Sequence, residues 1–528
     1  MKYPIGIQDF ETLRKRGFVY VDKTDLVYKL AQGHVYFLGR PRRFGKSLLV
    51  STLKAYFLGK RELFEGLKIM QLETDWQEHP VMHFDFNRVS RPADLKEYIR
   101  ITLMEWEKDH PISVTPENLA LRFSMVIEAI HRNTGKQVVV LIDEYDKPLL
   151  DLLETGHPED EKQIEENREF LKNFFSAFKA ADEHLRFVLL TGITKFSQVS
   201  MFSGFNQPDD ISISTRFETL CGITVEELRN VFGDSIRELA DSEGITEEEA
   251  QTWLKDMYDG YHFSRKMTDI YNPFSIINCF ANNAVGSYWF RSGTPSFLVR
   301  LLAHTQEEVM LYTGQRYKEQ MFVDYKADRE MPLPMIFQSG YLTIKEVDTR
   351  FGTYLLDFPN REVREGMVTL LANNYLQPRQ EPSSWVVNMI DALEAADLDL
   401  VRRLFTSFLA ETPYSMRPKK DEKDCELYFH YTFYLLMRLI SCYTVYTEKQ
   451  LSEGRADCVV ETPKQVYIFE FKLDGTAKEA LKQIHDRGYA HAYEADPRSK
   501  FLIGASFSSK TGTIGEWEVE APSEIPQM

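Results

Sequence analysis

The sequence predicts an α/β protein of several domains: a parallel sheet covered by helices, a helical region, a mixed middle part, and a second α/β domain near the C-terminus. Three observations predict this. The apolar segment Val35-Tyr-Phe-Leu38 runs into the basic loop Arg40-Pro-Arg-Arg-Phe-Gly-Lys-Ser47 and then into a helical stretch ending at Phe57, a strand–loop–helix pattern. The run Val138-Val-Val-Leu-Ile142 ends on Asp143-Glu144, as a strand buried on both faces of a parallel sheet would. Near the C-terminus, Gly454-Arg-Ala-Asp457 and Phe469-Glu-Phe-Lys472 lie on two strand-like runs between two helices.

Taken in order, the first part alternates strands and helices. Strands are expected at 34–38, 80–86, 138–142 and 186–192, and helices at 46–58, 94–107, 117–133 and 161–181; such alternation implies a parallel sheet. A loop between strand and helix can aim backbone N–H groups and the helix N-terminus at an anion. Arg42, Arg43, Gly45, Lys46 and Ser47 are the loop residues expected around phosphates. Lys46 would place its charge on the β/γ-phosphates and Ser47 its hydroxyl on Mg²⁺. The strict P-loop has Gly where Arg40 stands, and Gly39 is one place early. Asp143 would hold the Mg²⁺ shell, at the strand end where open α/β sheets bind ligands. Glu144 would polarise an attacking water as a general base. In Arg186–Lys195, Thr191 or Thr194 could sense the γ-phosphate, with Asn206 a further candidate.

Residues 223–257 read as mainly helical. Thr224-Val-Glu-Glu and Thr246-Glu-Glu-Glu are capping-box patterns, and their place suits a helical lid. Ser339–Lys345 and Thr353–Asn360 read as a hairpin followed by a helix from Glu362 to Tyr375, compatible with a winged-helix module. Pro378, Pro382, Ser383 and Ser384 mark a linker. A helical pair, 385–411, follows before a polar break from Pro413 to Lys423.

In the C-terminal part a helix, Glu426–Ile440, precedes the strand-like Tyr443–Glu448. Glu470 and Lys472 are two apart on a strand and leave one face, while Tyr467, Phe469 and Phe471 take the other. A hairpin would bring Asp457 beside them. Two carboxylates suit Mg²⁺ or Mn²⁺, with Glu426 completing the shell. The metal would acidify a water and stabilise charge on a scissile phosphate. Lys472 would orient the water or stabilise the transition state, and Gln483 would orient substrate.

The chain is 528 residues long with 43% apolar and 13% aromatic residues, enough for two to four packed domains. Its formal charge of −17 argues against sequence-independent coating of nucleic acid or anionic membranes, while the basic cluster from Arg40 to Arg61 leaves room for a local basic channel. Five scattered cysteines with no CxxC pair point to reduced thiols, a cytoplasmic location and no structural zinc. No signal peptide and no membrane span are expected.

These motifs together resemble a bacterial family that joins an N-terminal AAA-ATPase-like domain to a C-terminal restriction-endonuclease-like domain of the PD-(D/E)XK superfamily. The resemblance rests on Arg40–Ser47, Ile142-Asp-Glu-Tyr-Asp-Lys-Pro-Leu149, Tyr258-Asp-Gly-Tyr261 and Tyr271-Asn-Pro-Phe-Ser275. Gly293-Thr-Pro-Ser-Phe-Leu298, Ser339-Gly-Tyr-Leu342, Phe358-Pro-Asn-Arg-Glu-Val363 and the C-terminal motifs add to it. In this family Arg is usual at position 40; the Pro that often precedes the first nuclease acid is replaced by Ala456.

The resemblance implies a P-loop ATPase-like domain at 1–215, a helical lid at 216–285 and a winged-helix-like or helical region at 286–378. A linker and helical pair would occupy 379–423 and the nuclease-like domain 424–528. It implies ATP and Mg²⁺ as cofactors and nucleic acid, DNA before RNA, as partner. Homo-oligomerisation stays open, since ATPases of this type often complete their sites across subunits with an arginine. The expected function is ATP-controlled or ATP-powered, Mg²⁺-dependent DNA cleavage, by analogy in defence or mobile-element biology. The alternative is a nucleotide-controlled switch or scaffold that binds nucleic acid or protein without cleaving.

Overall fold

The computed structural model describes residues 1–155, 160–195, 208–290, 312–323, 332–376, 382–411, 433, 436–437, 444–451 and 454–521. The chain divides into two compact units, Met1–Arg364 and Glu365–Met528.

The first unit is built on a parallel sheet of β1 (Val35–Gly39), β2 (Val81–Asp85), β3 (Val138–Asp143), β4 (Leu185–Gly192) and β5 (Asp209–Asp210), ordered β2-β3-β4-β1-β5. The α/β alternation expected of the sequence is therefore found. Every residue of β3 is buried, which is why its sequence is continuously apolar rather than alternating. Helices α1 (Lys46–Phe57), α2 (Leu95–Asp109), α3 (Leu119–Thr134) and α4 (Asp160–Phe175) connect or cover the strands. Asn118 starts α3 by accepting from the Ala120 and Leu121 amides, and Gly135, at φ 67°, ends it; few other residues take that left-handed turn without strain. The short edge strand β5 carries no periodic apolar signal and is legible only in three dimensions.

The helical region follows as α5 (Val225–Glu243), α6 (Glu247–Tyr258) and α7 (Pro273–Asn282). Both capping boxes form: Thr224 with Glu227 and Thr246 with Glu249. These helices share a core of Leu228, Phe232, Leu239, Leu254, Ile276 and Phe280, and the N-terminal residues Tyr3, Val19 and Val21 pack against it. Tyr3 donates to Ser235 Oγ at 2.8 Å and Lys23 to Glu227 at 2.6 Å. Farther on, β6 (Gln315–Lys318), β7 (Thr343–Asp348) and β8 (Thr353–Asp357) form an antiparallel sheet with β8 central. The hairpin β7–β8 was expected from its sequence; the polar third strand was not. Helix α8 (Arg361–Leu376) then leads the chain into the second unit.

The second unit has α9 (Pro382–Glu394) and α10 (Leu398–Glu411), then a mixed sheet in the order β9 (Thr444–Leu451), β10 (Gly454–Glu461), β11 (Gln465–Leu473), β12 (Ser499–Ser508) and β13 (Thr513–Glu520). α9 starts inside the stretch read as linker. Pro382 opens it, at a position where a helix needs no amide donor. Only β11–β12 is parallel, and α11 (Ala477–Asp486) is its crossover. Tyr467, Phe469 and Phe471 of β11 pack on Leu393, Phe405 and Phe433. Val466 and Ile468, on the opposite face, pack on Ile484 of α11. Burial on both faces explains why β11 is apolar except at Gln465, Glu470 and Lys472. Among the described residues, no helix is long and apolar enough to cross a membrane.

Candidate active sites

In the first unit, the loop after β1 and the ends of β3 and β4 meet at the C-terminal edge of the sheet. The pairing Leu38↔Thr191 on one side of β4 and Ile142↔Leu190 on the other sets Thr191 between the loop strand and Asp143. Thr191 Oγ1 donates to Asp143 Oδ1 and accepts the Glu144 amide at 3.4 Å. Burial and then the Glu144 charge raise the Asp143 carboxyl above its ordinary pKa, against hydrogen bonds from Thr191 and Ser47. Lys46, almost fully buried, donates to Arg40 O at 3.0 Å and Pro41 O at 3.2 Å, and its ammonium lies 3.4 Å from Glu144. Lys46, Ser47, Asp143, Glu144 and Thr191 are thus brought together. Gly45, at φ 93°, caps α1 without a side-chain acceptor, so the first-turn amides take no side-chain cap from it.

Two of the loop arginines, Arg40 and Arg43, lie over aromatic rings. Arg40 is buried with its guanidinium 4.1 Å from the Phe263 ring centroid. It donates to the Gly39 and Ser212 carbonyls, and burial lowers its pKa to about 10. Arg43 stacks at 4.1 Å over Phe274, and Arg42 offers its carbonyl to the Trp289 indole N–H at 2.9 Å. Phe44 sits edge-on against Tyr261 with centroids 4.8 Å apart. A Cβ on Gly340, whose φ is 88°, would come 2.7 Å from Pro41. Three motifs behind the family resemblance, those holding Tyr261, Phe274 and Gly340, therefore gather on this loop. Asn206 and the Gly293–Leu298 motif lie outside the described residues.

Two features escaped the sequence reading. Asp146 is fully buried; its Oδ2 accepts from Ile193 N, Thr194 N and Thr194 Oγ1 at 2.7–2.9 Å, while Oδ1 has no partner. Thr194 is thereby committed to Asp146. The signal was the Asp-Glu-Tyr-Asp spacing, too short to reveal which acid turns inward. Burial and then Glu144 push the Asp146 carboxyl up to about 6, against about 4 for an unfolded chain. As pH rises through that window the unfolded chain releases its proton first, so stability falls. In a pH series of melting curves, Asp146→Asn is expected to flatten this loss; parallel slopes for both proteins would refute the assignment.

The second feature is an apolar cleft of about 660 Å³, solvent at its mouth included, beside Gly45. Val21, Leu48, Leu220, Ile223, Phe232 and Ile277 are among its walls. Its far side is thus the N-terminal segment together with α5 and α7, joined by packing that no local pattern announces.

In the second unit the β10–β11 ladder ends at Cys458↔Phe469, one residue short of Asp457 and Glu470. Beyond it Asp457 Oδ2 accepts the Phe471 amide at 2.8 Å. Gln483 of α11 donates to Glu470 Oε1 and accepts from Lys472 Nζ at 2.7 Å; Lys472 lies 3.6 Å from Glu470. Asp457, Glu470, Lys472 and Gln483 are thus brought to one sheet end. Glu426 lies outside the described residues. Burial, then the Asp457 charge, push the Glu470 carboxyl up to about 8. Its Oε2 is buried without a hydrogen-bond partner. An orphaned carboxylate oxygen beside a second carboxylate fits a divalent cation, which would relieve both desolvation and repulsion. Among the described residues no group of three or more His, Cys, Asp or Glu side chains could hold a metal.

Gly504 stands opposite Glu470 on β12, and a Cβ there would overlap the Ala477 carbonyl oxygen. The bare backbone lets α11 lie close enough for Gln483 to reach Glu470. Gly504→Ala is expected to destabilise the second unit by about 1–3 kcal/mol, read as a lower melting temperature; an unchanged transition would contradict the packing.

Comparison with known proteins finds that a family model described as predicted AAA-ATPase matches residues 4–202, and one for the PD-(D/E)XK nuclease superfamily matches residues 424–517. A protein of Azotobacter chroococcum mcd 1, described as an uncharacterized protein in the vnfD 5′ region, is 36% identical over 530 residues, covering 98% of this chain and 99% of its own.

Proposed function

This chain belongs to the family that joins a predicted AAA-ATPase domain to a PD-(D/E)XK nuclease-like domain, and from that membership we propose that it binds and hydrolyses ATP and cleaves DNA with Mg²⁺ in its C-terminal domain. The observation that carries the reading is the meeting of Asp457, Glu470, Lys472 and Gln483 at one sheet end, with an unpartnered buried oxygen on Glu470.

At the first site the α1 amides and Lys46 bind phosphates. Ser47 and Asp143 are the residues that would hold Mg²⁺, and Glu144 takes a proton from water. The apolar cleft beside Gly45 supports a nucleotide rather than a bare phosphate, because its walls suit a flat base. At the second site Asp457 and Glu470 would hold Mg²⁺. The ion supplies charge for the scissile phosphate and an acidified water. Lys472 donates to the phosphate oxygen that gains charge, and Gln483 keeps Lys472 and Glu470 in register.

The test is purified protein with Mg²⁺ and linear or single-stranded DNA, with and without ATP. Cleavage that needs Mg²⁺ and Asp457 supports the reading. ATP hydrolysis without cleavage of DNA or RNA would favour a nucleotide-controlled switch or scaffold.

A further inference from the structure

The phosphate-binding loop is joined by buried and half-buried hydrogen bonds to the helix that leaves the first unit. Arg42 O accepts the Trp289 indole N–H at 2.9 Å. Trp289 is itself buried, tilted against Tyr341 with centroids 5.2 Å apart. The backbone amides of Tyr288 and Trp289 both donate to Glu362 Oε1, at 2.6 and 2.7 Å, and Ser275 Oγ donates to Oε2 at 2.7 Å. Glu362 is 1% exposed and lies in the first turn of α8. That helix runs unbroken through Arg364 and Glu365, where the chain passes between its compact units.

We infer that Trp289 and Glu362 read the state of the loop Arg40–Ser47, so that nucleotide binding alters the first turn of the helix that carries the chain into the nuclease-like unit. The inference rests on the nucleotide reading of that loop and adds its regulation. The loop has a contact that a nucleotide must disturb. The three donors of the Lys46 ammonium face Arg40 O, Pro41 O and Glu144. A phosphate that recruits Lys46 releases at least one of these groups. The two carbonyls belong to the residues just before Arg42, whose own carbonyl is held by Trp289. A shift of this peptide segment must either follow the indole or leave a buried N–H without its acceptor. The indole and the amides of residues 288 and 289 share one short piece of chain, so the shift reaches the Glu362 carboxylate. Trp289 and Glu362 thereby act as positioning residues.

Hydrogen exchange measured by mass spectrometry on the full chain, with Mg²⁺ and a non-hydrolysable ATP analogue, tests this. Peptides covering 40–50 are expected to gain protection, and those covering 361–367 to change their exchange rate by about fivefold or more, the scale of a typical allosteric coupling. Trp289→Phe keeps the ring packing but lacks the indole donor. It is expected to retain the first response and lose the second. Glu362→Ala cuts the next link and is expected to do the same; a cooperative melt checks that each variant folds. A protected loop with no response at 361–367 in the unaltered protein would overturn the inference while leaving the nucleotide reading intact. A full helix response in Trp289→Phe would do likewise. No protection of the loop would remove the nucleotide reading, and this inference with it.

Discussion

Lys472→Ala is expected to lower Mg²⁺-dependent DNA cleavage by about 10²–10³-fold, the usual scale for removing one donor aimed at developing charge. Lys472 is the one cation beside Asp457 and Glu470 in the described part of the site, and its side chain is 30% exposed. An ammonium so placed can turn from Gln483 Oε1 toward a phosphate oxygen without crossing the core. The loss should fall on kcat more than on DNA affinity, because DNA is held by many phosphate contacts and the transition state by few. ATP hydrolysis by the same protein is expected to be unchanged, which separates a nuclease defect from misfolding. Glu470→Gln is the companion test: it keeps the shape of the side chain, removes the charge a metal would need, and should abolish Mg²⁺-dependent cleavage rather than merely weaken it. Cleavage by Lys472→Ala at the wild-type rate would exclude this site as the cutting centre.

Lys46→Ala is expected to abolish measurable ATP hydrolysis and to weaken binding of a fluorescent ATP analogue by about 10²-fold, in line with the loss of a charge-assisted phosphate contact. The same change leaves Glu144 without its ammonium partner at 3.4 Å, so some destabilisation should accompany it. Lys46→Met, which fills the same space, keeps that packing cost apart from the loss of charge. The informative measurement is DNA cleavage by these variants. If ATP is a control input, cleavage becomes insensitive to ATP; if ATP is a power input, cleavage stops. Retained analogue binding in both variants would show that the nucleotide is held elsewhere.

The parts of the molecule legible in the sequence are those whose chemistry is local. β1, the loop and α1 announce themselves within two dozen residues. β3 does so through an unbroken apolar run that ends on two acids. Glu470 and Lys472 share a strand face by simple alternation, and the capping residues Thr224 and Thr246 mark where their helices begin. What remained hidden depends on contacts between distant segments. The loop reads as three cations, Arg42, Arg43 and Lys46, around phosphates, yet Arg43 lies over the ring of Phe274, as its neighbour Arg40 does over Phe263, more than two hundred residues away along the chain. The cleft beside Gly45 needs the N-terminal segment and the helices α5 and α7 together. Asp146 turns inward only because the chain after β4 offers it two amides and a hydroxyl.

The fastening of Arg40–Phe44 has a consequence for the thermodynamics of ligand capture. Ordering a free backbone costs about 1–2 kcal/mol per residue at room temperature. Here five consecutive residues are anchored by Phe263, Gly340, Trp289, Phe274 and Tyr261 as the first unit folds. A ligand arriving at this cradle therefore has little chain entropy left to remove, and affinity is not taxed by disorder. A cradle this stiff also cannot absorb a displacement by bending within itself. Any push on it must move as a rigid step into the aromatic side chains that grip it.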